Sequence, residues 1–296
     1  MELKKLIENP EIVVHQNVNL DRYTTTKLSV VGSIVIVSNV ESLVNVLCLC
    51  KEQKLEYHLV GWGSNQILHN TTGKLFIKLD FKFERDYLKK IRKKYILPAS
   101  VPLNILTSAA TKLGIKGWDV FTGIPASLGG AVYMNAGTSL GEIGDLVESV
   151  RIIDADGNLR EYICNKNDFE YRKNKFVKEG EIIVSVTLLS YGTDQIVGKQ
   201  IRDYLQYRKD TQPLSTKNCG SVFKNNKNIK AGITIDKIGL KGFGVKKLMV
   251  SHKHANFIEN RDGGATPGDF VDLTDYLKDE IERYSGIQFE LEVKVY

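Results

Sequence analysis

GIPASLGGAVYMNAGTSLG, residues 123–141, is the stretch on which the reading of this chain turns. No charged side chain occurs between Asp119 and Glu142, yet Asn135, Thr138, Ser139 and several glycines interrupt the apolar surface. About 18 apolar residues would suffice for a membrane span. Pro125, the Gly129-Gly130 pair and Asn135 argue against one, because they would leave backbone groups without partners in lipid. Glycine permits turns at positive φ and lets main-chain N–H groups come close to another molecule. Such donors, clustered without side-chain charge, suit a diphosphate. A buried glycine-rich turn fits the same composition, and on the residues alone both readings stay open.

Around this run lies a chain of ordinary globular character. Its 296 residues leave room for two domains with a real core. Hydrophobic residues at 42% and charged residues at 26% exclude a disordered or fibrous chain. The opening MELKKLIENPEIVV has no long apolar run and no small-residue cleavage site, so no secretory signal is expected. Cys48, Cys50, Cys164 and Cys219 lack CxxC spacing, which fits reduced thiols and a cytoplasmic location. The formal charge of +6 points to an anionic partner without deciding which. Lys89-Lys90-Ile91-Arg92-Lys93-Lys94, the densest basic stretch, has no nucleic-acid motif around it and reads as a solvated face. No nucleic-acid or membrane partner is expected, and a monomer is the working expectation.

Taken in order, residues 33–38 form a β-branched strand, followed by a helical pattern through Leu43, Val46, Leu47 and Cys50. A strand over 56–60 then runs into Gly61-Trp62-Gly63-Ser64-Asn65. Gln66 stands where a dinucleotide fingerprint needs its third glycine, so this is no Rossmann turn. A phosphate-contacting turn and a plain turn both fit it. Residues 75–79 read as a strand, and Pro102 opens a helix that Gly114 ends. Asp156-Gly157 between residues 147–153 and 159–164 predicts a hairpin, and 181–189 another strand. The spacing predicts helices over 195–208 and 267–285, the latter with its stripe at Phe270, Leu273, Leu277, Ile281 and Tyr284. The fold class is α+β, with a boundary expected between residues 192 and 193.

The last residues alternate: Ile287, Phe289, Leu291, Val293 and Val295 against Gln288, Glu290, Glu292, Lys294 and Tyr296. One regular strand is expected, with Glu290 and Glu292 about 7 Å apart on its polar face. A solvated edge and a cleft lining both fit that face. No HExxH, Walker loop, GxSxG elbow or metal-ligand spacing occurs, and His252 with His254 does not make a zinc site, so no metal is expected. Asn218-Cys219-Gly220-Ser221-Val222-Phe223-Lys224-Asn225 gathers small polar groups and a lysine in a loop, but no base can be assigned to activate a nucleophile there.

Six segments in order resemble the UDP-N-acetylenolpyruvoylglucosamine reductase family: GWGSNQIL (61–68), GIPASLGGAVYMNAG (123–137), FEYR (169–172), RKDTQPLSTKNCGSVFKN (208–225), SHKHANFIEN (251–260) and LEVKV (291–295). The resemblance implies an FAD-binding fold of the vanillyl-alcohol-oxidase (PCMH) type over residues 1–192, in two α+β subdomains of about 1–80 and 81–192. A smaller α+β substrate domain over 193–296 follows, its last strand returning toward the active site. FAD would be held by Gly61, Trp62, Gly63, Ser64 and Asn65, and by Gly123, Ile124, Pro125, Ser127, Gly129, Gly130, Ala131, Asn135, Ala136 and Gly137. The chain departs from the family's glycine pattern at Trp62, at Ala126 and across 95–104.

The implied reaction is reduction of UDP-N-acetylglucosamine enolpyruvate to UDP-N-acetylmuramate, with NADPH as reductant, in peptidoglycan precursor synthesis. The resemblance makes Arg172, Ser221 and Glu292 catalytic, and Tyr171, Lys224, Asn225 and His254 substrate-binding. The short chain resembles the class without an extra substrate-covering loop. Two alternatives accompany this reading: an oxidase of the same flavin fold, or a non-catalytic descendant that binds a nucleotide sugar.

Overall fold

The structure, a computed structural model, describes residues 3–226 and 229–296. It comprises two compact units. The first takes the chain through His15, then residues 34–62 and 73–207; the second takes 16–33, 63–72 and 208–296.

The first unit has two cores. One is built on an antiparallel sheet in the order Leu159–Ile163, Val147–Ile153, Ile182–Leu189, Lys94–Pro98. Its hairpin is the one the Asp156-Gly157 pair predicts, with Leu159 opposite Ile153. The helix Leu103–Leu113 adds Leu103, Leu106, Ala109 and Ala110 to this core and ends at Gly114, which adopts a left-handed conformation. Trp118 is fully buried and donates its indole N–H to the Leu189 carbonyl at 2.9 Å. The central run is bonded onto the segment before that helix. Leu128 N–H bonds to Val101 O, Gly129 N–H to Ala99 O, and Leu103 N–H to Ala126 O, all between 2.8 and 2.9 Å. The run is thus neither a membrane span nor a free loop: residues Leu128–Tyr133 form a short helix in the core.

The other core of this unit combines the helix Val40–Glu52 with the sheet Ile12–Asn19, Val31–Val37, Lys74–Leu79, Glu56–Leu59. Asn39 and Ser42 form a reciprocal cap at the start of that helix, which satisfies donors its first turn would leave unpaired. Glu56–Leu59 runs parallel to Lys74–Leu79, so the turn at 61–65 follows the end of a buried strand pair.

The second unit packs Phe270, Leu273, Leu277 and Ile281 of the helix Pro267–Ser285 against the helix Ala231–Lys237. The same core takes in a three-stranded antiparallel sheet, Gly244–Val245, Leu248–Val250 and Ile258–Asn260. Thr266 and Asp269 cap the long helix reciprocally, and Gly286 at φ +66° ends it. Residues 16–33 and 63–72 group here, and the division falls after Tyr207, whereas the expected boundary lies at 192/193. The grouping has main-chain causes. Gln66–Ile67 pairs in parallel with Lys294–Val295, Ser29 N–H bonds to Ala265 O, and Asn260 Nδ2 donates to the Thr26 and Lys27 carbonyls.

The last strand differs from the expectation of one regular ladder over 287–295. Leu291 makes a single antiparallel bridge to Phe223, and only Lys294–Val295 is regular strand. Both Glu292 N–H and Val293 N–H point to Val222 O, at 2.8 and 3.4 Å. Two donors on one acceptor break the even spacing of a ladder. Alternation survives at Phe289 and Val293, which are buried, and fails at Val295, which is exposed. Glu290 and Glu292 therefore do not share the face of one regular strand. Among the described residues no helix is long and apolar enough to cross a membrane, and no group of three His, Cys, Asp or Glu is placed to hold a metal.

Candidate active site

In the first unit, the turn at Gly61 and the central run touch. A Cβ on Gly61 would stand 2.8 Å from Ser127 Oγ, so any side chain there would have to displace the Ser127 hydroxyl. Lys78, on the strand Lys74–Leu79, donates its ammonium to the Gly61 carbonyl at 2.8 Å. Burial pushes the Lys78 pKa below the usual lysine value. A cavity of about 420 Å³ opens beside these groups, lined by Trp62, Gly123–Ala126, Thr107 and Thr111, and by Ile201 and Leu205 of the helix Ile196–Thr211. That volume is in the range of small-molecule sites. Of the other expected cofactor residues, Gly129 and Ala131 are buried in the core, while Ile124 and Ala136 pack against it half-buried.

Arg172 and Asn135 both hold left-handed backbone, at φ +57° and +46°. For an arginine this costs about 1–2 kcal/mol, and such outliers cluster at functional sites. The Arg172 guanidinium donates to Gly137 O at 3.0 Å and Asn135 O at 3.5 Å, and lies 4.8 Å over the Tyr171 ring. Glu142 Oε1 is 4.0 Å from it.

In the second unit, three expected segments come together. Gly63 has φ +67°, and a Cβ there would be 2.1 Å from Tyr23 O, so no other residue fits. Thr25 N–H bonds to Gly63 O at 3.1 Å, and Thr25 Oγ1 donates to Asn218 O at 2.7 Å. The turn is thereby tied to the loop that carries Ser221. Asn65 Nδ2 donates to the Glu292 carbonyl at 3.0 Å, and Lys294 N–H returns a bond to Asn65 O. Glu292 N–H in turn bonds to Val222 O at 2.8 Å, which sets Glu292 beside the residue following Ser221. Asn256, almost fully buried, fixes this loop by accepting from Phe223 N–H and donating to Phe223 O.

Electrostatics separate the neighbours of Ser221. Burial pushes the Cys219 thiol up to about 12, with the Glu292 charge adding to the effect. Cys219 is thus a protonated, inert thiol, not a nucleophile. Burial holds His254 below its ordinary value, and its Nδ1 accepts from Asn256 N–H at 3.2 Å, which requires the neutral ring. Lys224 pairs with Glu290 at 2.8 Å, an exposed ion pair, and Asn225 Oδ1 accepts from Ala231 N–H at the start of a helix. Arg172 and Tyr171 belong to the first unit, and Ser221, Glu292, Lys224, Asn225 and His254 to the second. Sequence reading missed Lys78, Glu142 and Asn256. Only Lys78 left a signal there, as a cation inside the apolar strand KLFIKL.

Comparison with known proteins adds to this geometry. Residues 212–296 match the family model described as UDP-N-acetylenolpyruvoylglucosamine reductase, C-terminal domain, and residues 32–162 match the FAD binding domain model. The UDP-N-acetylenolpyruvoylglucosamine reductase of Halalkalibacterium halodurans is 31% identical over 95% of this chain and 94% of its own length. That of Heliobacterium modesticaldum is 34% identical over 93% and 88%. The crystal structure of UDP-N-acetylenolpyruvylglucosamine reductase from Thermus caldophilus aligns over 96% of this chain and 99% of its own, at 30% identity and a TM-score of 0.81.

Proposed function

The chain belongs to the UDP-N-acetylenolpyruvoylglucosamine reductase family, and on that premise we propose how its own residues carry the reaction. It is an FAD-dependent oxidoreductase that reduces UDP-N-acetylglucosamine enolpyruvate with NADPH, and its fold is a PCMH-type FAD-binding domain followed by the family's C-terminal domain. We assign flavin binding to residues 1–192 and UDP-sugar binding to residues 193–296. The residues present fit FAD: no side chain stands between the Gly61 turn and Ser127, and the Lys78 ammonium lies beside that turn to offset diphosphate charge.

FAD held by these residues would supply hydride transfer from NADPH to the enolpyruvyl double bond. Addition at the terminal carbon pushes an electron pair onto the carbon beside the carboxylate. The Arg172 guanidinium, a planar two-donor cation, stabilises that charge. The Glu292 carboxyl shares the task only in its protonated form, and the Ser221 hydroxyl gives its proton to the carbon and regains one from solvent. Tyr171, Lys224, Asn225 and His254 hold the UDP-sugar. His254 does so as a neutral ring, and Lys224 by exchanging Glu290 for substrate. The free cysteines support a reducing, cytoplasmic setting, and action as a monomer belongs to the same proposal.

One observation carries this reading: Glu292, the Ser221 loop and the turn at Asn65 are joined within one unit by hydrogen bonds, main-chain ones and one from the Asn65 amide. Ser221→Ala tests it. Reduction of bound FAD by NADPH should stay near normal, while reoxidation by the enolpyruvyl substrate should slow by roughly 10² or more. Substrate-driven reoxidation at the normal rate would remove Ser221 as the acid.

A further inference from the structure

A non-glycine residue in left-handed backbone persists only where its surroundings over-determine it. Arg172 is the second residue of the two-residue connection between Phe169–Glu170 and Lys173–Asn174. Asn135, nearly fully buried, anchors the strand that leads into that connection. Its Nδ2 donates to Glu170 O at 3.0 Å, directly before the connection, and to Glu142 Oε2 at 2.6 Å. Its Oδ1 accepts from Gly144 N–H at 3.0 Å, which fixes the amide's orientation. The second Glu142 oxygen, Oε1, then stands 4.0 Å from Arg172 Nη1, while Arg172 Nη2 bonds to Gly137 O. A half-exposed ion pair of that length contributes little to stability. What this one does is aim a carboxylate, itself held by a buried amide, at one nitrogen of the guanidinium.

We propose that Glu142, oriented by Asn135, is a positioning residue that presets the Arg172 guanidinium for the substrate's carboxylate. The proposal rests on the role of Arg172 given above. Its chemical logic is that a bidentate cation stabilises developing charge only when both donors face the right plane. A misplacement of about 1 Å costs on the order of 10²-fold in rate. Glu142 sets that plane without touching substrate and leaves the flavin's reaction with NADPH untouched.

The test uses the FAD-loaded protein and its two half-reactions. Glu142→Gln keeps the volume and an oxygen for Asn135 but removes the charge. Substrate-driven reoxidation of the flavin should slow by roughly 10- to 10²-fold. FAD affinity, reduction by NADPH and the urea midpoint should not change, and Glu142→Asp should recover part of the loss. On an Arg172→Lys background, already slow with substrate, Glu142→Gln should add nothing, because it acts through the guanidinium. A normal substrate half-reaction in Glu142→Gln would overturn the proposal. So would losses shared by both half-reactions or by stability, or losses that add to those of Arg172→Lys. Should Arg172→Lys itself react normally with substrate, the assignment of Arg172 falls first and the proposal with it, whereas the Ser221→Ala result stands by itself.

Discussion

One missing methyl group at Gly61 keeps the turn and the central run in contact. A Cβ there would sit 2.8 Å from Ser127 Oγ, and Ser127 is nearly fully buried, so the hydroxyl has little room to retreat. Gly61→Ala should therefore weaken FAD binding by roughly tenfold or more, which corresponds to about 1.4 kcal/mol. A fluorescence titration reads this, with the urea midpoint nearly unchanged; unaltered FAD affinity would remove the contact from the flavin site. The need for glycine at 61 and 63 was legible, since both stand in a turn after a strand. Ser127 was legible only through the family resemblance. Asn256 was not legible, because a buried asparagine announces itself by the carbonyl and amide it pairs with, here Phe223 of a distant segment.

Among the elements, the helices were the most legible. Leu103–Leu113 and Pro267–Ser285 end at Gly114 and Gly286, as their glycines foretell, although Tyr284 of the expected stripe is exposed. The C-terminal strand was the least. Its alternation is real at Phe289 and Val293, but pattern does not reveal that Val222 O would take two donors and interrupt the ladder. The loop carrying His254 gives a pH prediction. Its folded pKa is depressed below the ordinary 6.5 by burial, so folded protein resists protonation more than unfolded chain does. Stability from this group is thus present above about pH 6.5 and is lost as the pH falls through the lower, folded value. Urea unfolding from about pH 7 to about pH 5 should show that loss, and His254→Gln should flatten it. An equal slope in the variant would mean that His254 does not titrate in this way.

Across the whole molecule, the resemblance in six ordered segments foretold the family, while the division into units did not follow chain order. Residues 16–33 and 63–72 join the C-terminal unit through bonds to Ala265, Asn260 and Lys294 that no local pattern encodes. Covalent order reveals what each segment is; long-range pairing decides which unit it joins. The central claim is that this chain passes a hydride from NADPH to an enolpyruvyl UDP-sugar. An anaerobic single turnover tests it: the protein is loaded with FAD, bleached with one equivalent of NADPH and mixed with UDP-N-acetylglucosamine enolpyruvate. The account predicts full return of the visible flavin band, with one equivalent of UDP-N-acetylmuramate formed. A bleached flavin that ignores this substrate and is restored only by admitting oxygen would contradict it.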